Sequence, residues 1–98
     1  MVSLVVKVKI KEGKEKEAEE FFNETARWLK ENEKTTTQYI VLRKAGTSSE
    51  FYLIERYADR DAWLVTHRSS AKYKEGSAKM ATLLAAPPEI TECEVVIP

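Results

Sequence analysis

Ninety-eight residues are enough for one hydrophobic core and too few for two, so the chain reads as a single domain over residues 1–98. Apolar residues at 43% and charged residues at 33% exclude both a disordered chain and a membrane-embedded one. Sixteen Lys and Arg balance sixteen Asp and Glu with the signs interspersed, which leaves no basic arm for counterion-release binding to nucleic acid.

The first segment, Val2 to Ile10, alternates. Val2, Leu4, Val6, Val8 and Ile10 share one face and Ser3, Val5, Lys7 and Lys9 the other, the period of a strand. Lys7 and Lys9 also break the apolar run too early for a signal-peptide core or a membrane span. After Gly13, Ala18, Phe21, Phe22, Thr25, Ala26, Trp28 and Leu29 recur at three- and four-residue intervals, which predicts a helix from Lys14 to about Asn32. Its opposite face, with Lys14, Glu17, Glu20, Glu24, Arg27 and Glu31, reads as solvated surface.

Thr35 to Arg43 and Phe51 to Tyr57 are rich in β-branched and aromatic residues, and Ala45-Gly46-Thr47-Ser48-Ser49 between them is turn chemistry, so a hairpin is expected. Asp59 is placed to cap a short helix opening at Arg60, and Ser69 or Ser70 to cap a second helical piece running to about Leu84. Pro87-Pro88 ends that piece, since proline offers no amide donor. Ile90 to Ile97 then reads as a last strand.

The order β, α, β, β, α(α), β is the split βαβ pattern: an α+β, ferredoxin-like, four-stranded antiparallel sheet with its helices on one face. The first and last strands are expected to be neighbours, with Lys7 and Lys9 beside Glu92 and Glu94 as cross-strand ion pairs. The central strands are apolar on both faces: Ile40 and Leu42 alternate with Tyr39 and Val41, and Phe51 and Leu53 with Tyr52 and Ile54. A sheet apolar on both faces needs two covers, and the helices supply one. A second copy of the chain is the economical other cover, giving a homodimer.

Cys93 is the only cysteine and His67 the only histidine. They suffice for neither an intrachain disulfide nor a His/Cys zinc cage, so no metal is expected and a reducing, cytoplasmic setting fits. His67 is the one side chain whose ordinary pKa, ~6.5, allows proton exchange near neutrality without tuning, which makes it the candidate base. Glu55 lies on the strand face of Leu53 and Tyr57, where an unpartnered carboxylate would be costly. It is expected either to orient His67 or hold a substrate hydroxyl, or else to pair with Arg43, Arg56 or Arg68. Trp63 precedes His67 by four residues on the short helix and is a candidate aromatic wall. Tyr57, Tyr73 and Tyr39 are candidate substrate contacts able to donate to a developing oxyanion. Arg56, on the opposite strand face from Glu55, reads as an interface or surface group.

Phe51, Glu55, Tyr57, Asp59, Ala62, His67, Ser70 and Tyr73, spread over a strand, a short helix and the start of the next helix, together resemble the antibiotic biosynthesis monooxygenase domain family. The resemblance extends to the first strand with Gly13, to Gln38-Tyr39 and to the Pro87-terminated helix, nearly the whole chain. It implies a dimeric α+β barrel with a pocket between sheet and helices in each subunit. Some members oxidise quinols or polyketide anthrones with dioxygen and neither metal nor flavin, so no cofactor is expected, only a small aromatic substrate and O2. Relatives that degrade haem or isomerise a phosphorylated sugar signal show that the fold does not fix the reaction. A ligand-binding or scaffold barrel without catalysis and an isomerase or cyclase using the same base remain alternatives. Three features depart from the family pattern. Val2 to Ile10 holds no counterpart of the Asn that some relatives carry on the first strand, which tells against the haem-degrading branch. Ala71-Lys72 stands where many relatives have Pro-His, and Glu33-Lys34-Thr35 where a Glu-Pro-Gly turn is common.

Overall fold

The computed structural model describes residues 1–98. Strand β1 spans Val2–Lys9, helix α1 Glu15–Asn32, β2 Thr36–Arg43 and β3 Glu50–Tyr57; a single π-helical stretch, Ala62–His67, precedes α2, Ala71–Leu83, and β4, Glu89–Glu94. The strands form one antiparallel sheet in the order β2-β3-β1-β4, with the helices against one face. This is the α+β ferredoxin-like arrangement anticipated from the element order. No helix is long and apolar enough to cross a membrane.

Alternation decides which face each strand residue covers. Leu4, Val6 and Val8 are buried and lie opposite Glu55, Leu53 and Phe51 of β3, so these residues share the helix-facing side. Phe22 and Ala18 of α1, Ile10, Tyr57, Ala62 and Leu83 complete the core cluster, and Phe22 meets Phe51 edge-on, centroids 5.4 Å apart. Gly13, at φ +86°, turns the chain out of β1 in a conformation a side chain would resist, and its amide donates to Glu15 Oε1 at 3.0 Å at the start of α1. At Gly76 helices α1 and α2 approach closely: a Cβ there would lie 3.3 Å from Phe21 Cζ.

Three expectations require correction. The last strand stops at Glu94 rather than Ile97, although Val95, Val96 and Ile97 have strand composition: its pairing with β1 ends where Val2 faces Glu94, and Met1 O takes the amide of Val95. The short helix, which opens at Arg60 as expected with Asp59 Oδ1 accepting from the Ala62 amide at 2.8 Å, is not α-helical beyond Asp61. From Ala62 it is π-helical, the Arg68 amide reaching back five residues to Trp63 O at 3.1 Å. Finally, Lys7 and Lys9 do not pair with Glu92 and Glu94. Lys7 lies opposite Glu89, with Nζ 4.0 Å from its carboxylate, while Glu92 is opposite Leu4 on the helix side and takes Arg60 Nε at 3.0 Å.

Candidate functional site

Between the sheet and the two helices lies a cavity of about 340 Å³, at the small end of the ~300–1,000 Å³ of ligand sites. Its floor is Leu4, Val6 and Val8 of β1, Leu53 and Glu55 of β3, Tyr39 of β2 and Ile90 of β4; Phe21, Phe22, Trp28 and Leu29 of α1 form one wall, and Tyr73, Gly76, Ser77 and Met80 of α2 another. Trp63 and His67 of the π-helical turn close one side. The single extra residue in such a turn re-aims side chains, and π turns recur at functional sites.

His67 is held from several directions. Its Nδ1 is 2.6 Å from Glu33 Oε2, its ring lies between those of Tyr57 and Tyr73 with centroid distances of 5.2 and 5.1 Å, and its carbonyl accepts from Ser70 Oγ at 2.8 Å. Ser70 Oγ also caps α2 by accepting from the Tyr73 amide at 3.0 Å, so one hydroxyl joins the π turn to the helix that carries Tyr73.

Glu33 is the one buried charged residue, 5% exposed. It sits at the C-terminal end of α1, where its amide donates to Leu29 O at 2.9 Å and its carbonyl accepts from the Thr36 amide at 3.1 Å. Its Oε2 also accepts from Thr36 Oγ1 at 2.5 Å. A carboxylate oxygen in this place assigns the ring proton to Nδ1 and leaves Nε2 as the nitrogen with a lone pair when the imidazole is neutral.

Glu55 does not orient His67, and it pairs with none of Arg43, Arg56 and Arg68. Its Oε1 accepts from Tyr57 Oη at 2.5 Å. Burial pushes the Glu55 carboxyl above the ordinary carboxylate range, and the nearby Glu33 adds to this; the Tyr57 hydrogen bond and His67 pull the other way without prevailing. Burial, with the field of Glu55, also raises the phenols of Tyr57 and Tyr39, so both remain donors. A neutral Glu55 carboxyl in a cavity wall can donate as well as accept.

Of the residues expected in the site, His67, Glu55, Trp63, Tyr73 and Tyr39 line the cavity together. Tyr57 does not. It is 0% exposed, packed beneath the π turn with its hydroxyl spent on Glu55, so it supports two lining residues and contacts no ligand. Glu33, Thr36 and Lys72 were not expected. Glu33 is hidden in the run Glu31-Asn32-Glu33-Lys34, which looks like solvated surface; the signal is its position where α1 hands over to β2, three residues before a threonine. No three His, Cys, Asp or Glu side chains converge as metal ligands.

A second, more open hollow of about 360 Å³ lies between α1 and the β2 edge. It shares Phe22 and Tyr39 with the first, and the ion pair of Arg43 with Glu19, 2.6 Å, belongs to its rim. It holds neither His67 nor Glu33 nor Glu55.

Solved structures repeat this architecture. A Caulobacter crescentus protein provisionally named as an antibiotic biosynthesis monooxygenase superposes with a TM-score of 0.90 and 27% identity, over 98% of this chain and 90% of its own. A Nitrosomonas europaea protein of unknown function, NE2512, gives 0.82 and 27% over 99% and 90%. Rv0793 of Mycobacterium tuberculosis gives 0.87 at 21% identity over 99% and 96%, a likeness of fold. No curated protein sequence matches the chain significantly. The sequence profile of the antibiotic biosynthesis monooxygenase family matches residues 1–79, most of the 98 and all the elements from β1 through the π turn to most of α2; the chain belongs to that family.

Proposed function

We propose that this protein is a cofactor-independent monooxygenase that oxidises a small aromatic quinol or anthrone-like substrate with O2. The observation that carries the reading is His67 in the wall of an aromatic cavity, its Nδ1 anchored on buried Glu33 and its Nε2 left to meet a ligand. Nε2 takes the proton of a substrate phenol. The phenolate gives one electron to O2; the resulting substrate radical and superoxide combine at the ring or methylene carbon conjugated with the oxygen. Loss of that carbon's hydrogen as a proton with O–O cleavage leaves a carbonyl, and the departing hydroxide leaves as water with a proton from the imidazolium. One O2 is consumed, one oxygen atom enters the product and the substrate supplies both electrons. Glu55 in its protonated form, which burial favours, and Tyr39 donate to the substrate oxygen as charge develops, and the apolar lining excludes bulk water.

The test is oxygen uptake above the rate of autoxidation with a panel of quinols and anthrones. Substrate-dependent uptake is expected, with His67→Ala slower by roughly 10²–10⁴-fold. Absence of such uptake in the unaltered protein overturns the reading. One observation favours a second reading: an acid, Glu55, and a base, His67, line one cavity, which suits a proton-transfer isomerisation. That reaction would exchange substrate hydrogen for solvent deuterium under anaerobic conditions.

The reading includes a second copy of the chain over the open face of the sheet, where Val5, Ile40, Leu42, Tyr52 and Ile54 lie. Ile40 and Leu42 are 40% and 48% exposed and nothing in the chain covers them.

A further inference from the structure

We propose that Lys72 makes the cavity selective for substrates that carry an anionic substituent, so that the ligand is a hydroxylated aromatic carboxylate rather than a neutral quinol. The inference deepens the reading of the cavity as a substrate chamber and rests on it. Apart from His67, Lys72 is the only basic residue in the lining. Its side chain is 18% exposed, and its partners are poor. Glu24 of α1 and Glu75 of α2 each come no closer than 4.0 Å and are themselves 65% and 76% exposed, so solvent screens both contacts.

The covered stem of Lys72 lies along the apolar wall and its ammonium has only these two distant, screened counter-charges, so a carboxylate bound in the cavity could take it at closer range with a charge-assisted hydrogen bond. The acidic groups inside do not compete for it. Glu33 is committed to His67 and Thr36, and Glu55 is held toward its neutral form by burial. Lys72 thus stands as the one weakly paired cation, apart from His67, in the lining of a chamber whose other polar groups handle a phenol. A ligand spanning the two features needs a hydroxyl at one position and an anion at another on the same flat ring system.

The experiment is calorimetric titration with three ligands inert to O2: 6-hydroxy-2-naphthoate, its neutral size-matched amide 6-hydroxy-2-naphthamide, and 2-naphthol. The expected result is a preference for the carboxylate over the amide of about tenfold or more. That ratio should fall to near one in Lys72→Met, persist in Lys72→Arg and invert in Lys72→Glu. A ratio near one in the unaltered protein, or one that survives in Lys72→Met, overturns the proposal. If 2-naphthol and the amide bind but the carboxylate gains nothing, only the role of Lys72 falls. If none of the three binds, the chamber reading falls with it. Circular dichroism of the variants checks that a lost ratio is not lost folding.

Discussion

Glu55 and Glu33 are two carboxyl groups within one small site, and their surroundings push them toward different work. Glu33 accepts from Thr36 and His67 and so holds the base. Glu55 has one donor, Tyr57, and burial raises its pKa above the ordinary carboxylate value. The consequence for stability has a definite sign. At acid pH the folded and unfolded chains both carry the Glu55 proton. As pH rises past the ordinary range, ~4.3, the unfolded chain releases it first, and folding becomes progressively harder until the folded carboxyl also ionises. Stability that Glu55 provides at low pH is therefore lost as pH climbs through its folded pKa. Glu55→Gln has no such proton to lose, so its melting temperature relative to the unaltered protein should increase from about pH 4 upward and then level off; a pH-independent difference would show that the carboxyl titrates alike in the folded and unfolded chains. The sequence marks Glu55 because an acid on a strand face between Leu53 and Tyr57 is conspicuous. It does not mark Glu33, since burial of one glutamate among several charged neighbours depends on where β2 begins, a tertiary fact.

At the scale of elements, strands β1, β2 and β3 and helix α1 follow from periodicity because each is long enough for period two or three-to-four to repeat. The π turn is not legible. Over the six residues Ala62–His67, too few turns occur to distinguish one helical period from another, and the extra residue is fixed by packing Ala62 into the core while Ser70 starts a new helix. The crossing of α1 and α2 offers a prediction in which two effects compete. Gly76→Ala gains up to ~1 kcal/mol of helix propensity, and its Cβ would press Phe21 Cζ from 3.3 Å. Phe21 lines the cavity, so its ring has space to yield inward by a few tenths of an ångström, and the propensity gain prevails. Thermal denaturation should show Gly76→Ala to be more stable, while calorimetry should show weaker binding of 2-naphthol because the chamber narrows. A less stable variant would mean that Phe21 is fixed and that the cavity wall is stiffer than its packing suggests.

At the scale of the whole molecule, the two faces of the sheet present different problems. One is closed by helices over the cavity. The other carries Ile40 directly opposite Ile54 and Leu42 opposite Tyr52, an apolar strip that alternation alone revealed. On that same face, opposite Ser3 and Gln38, Arg56 keeps its Nε buried within the chain and without a hydrogen-bond partner. Two copies related by a two-fold axis would bring strip against strip. Sedimentation at micromolar concentration should then give about twice the 11.2 kDa of one chain. Ile40→Glu should shift the protein toward the monomer: Ile40 is 40% exposed in the isolated chain, so a glutamate there costs the monomer little, whereas at the centre of an apolar interface it meets its own symmetry mate as a like charge. A monomer in the unaltered protein at that concentration would refute the second cover. A dimer indifferent to Ile40→Glu would place the contact elsewhere on the surface, with the strip then needing another explanation.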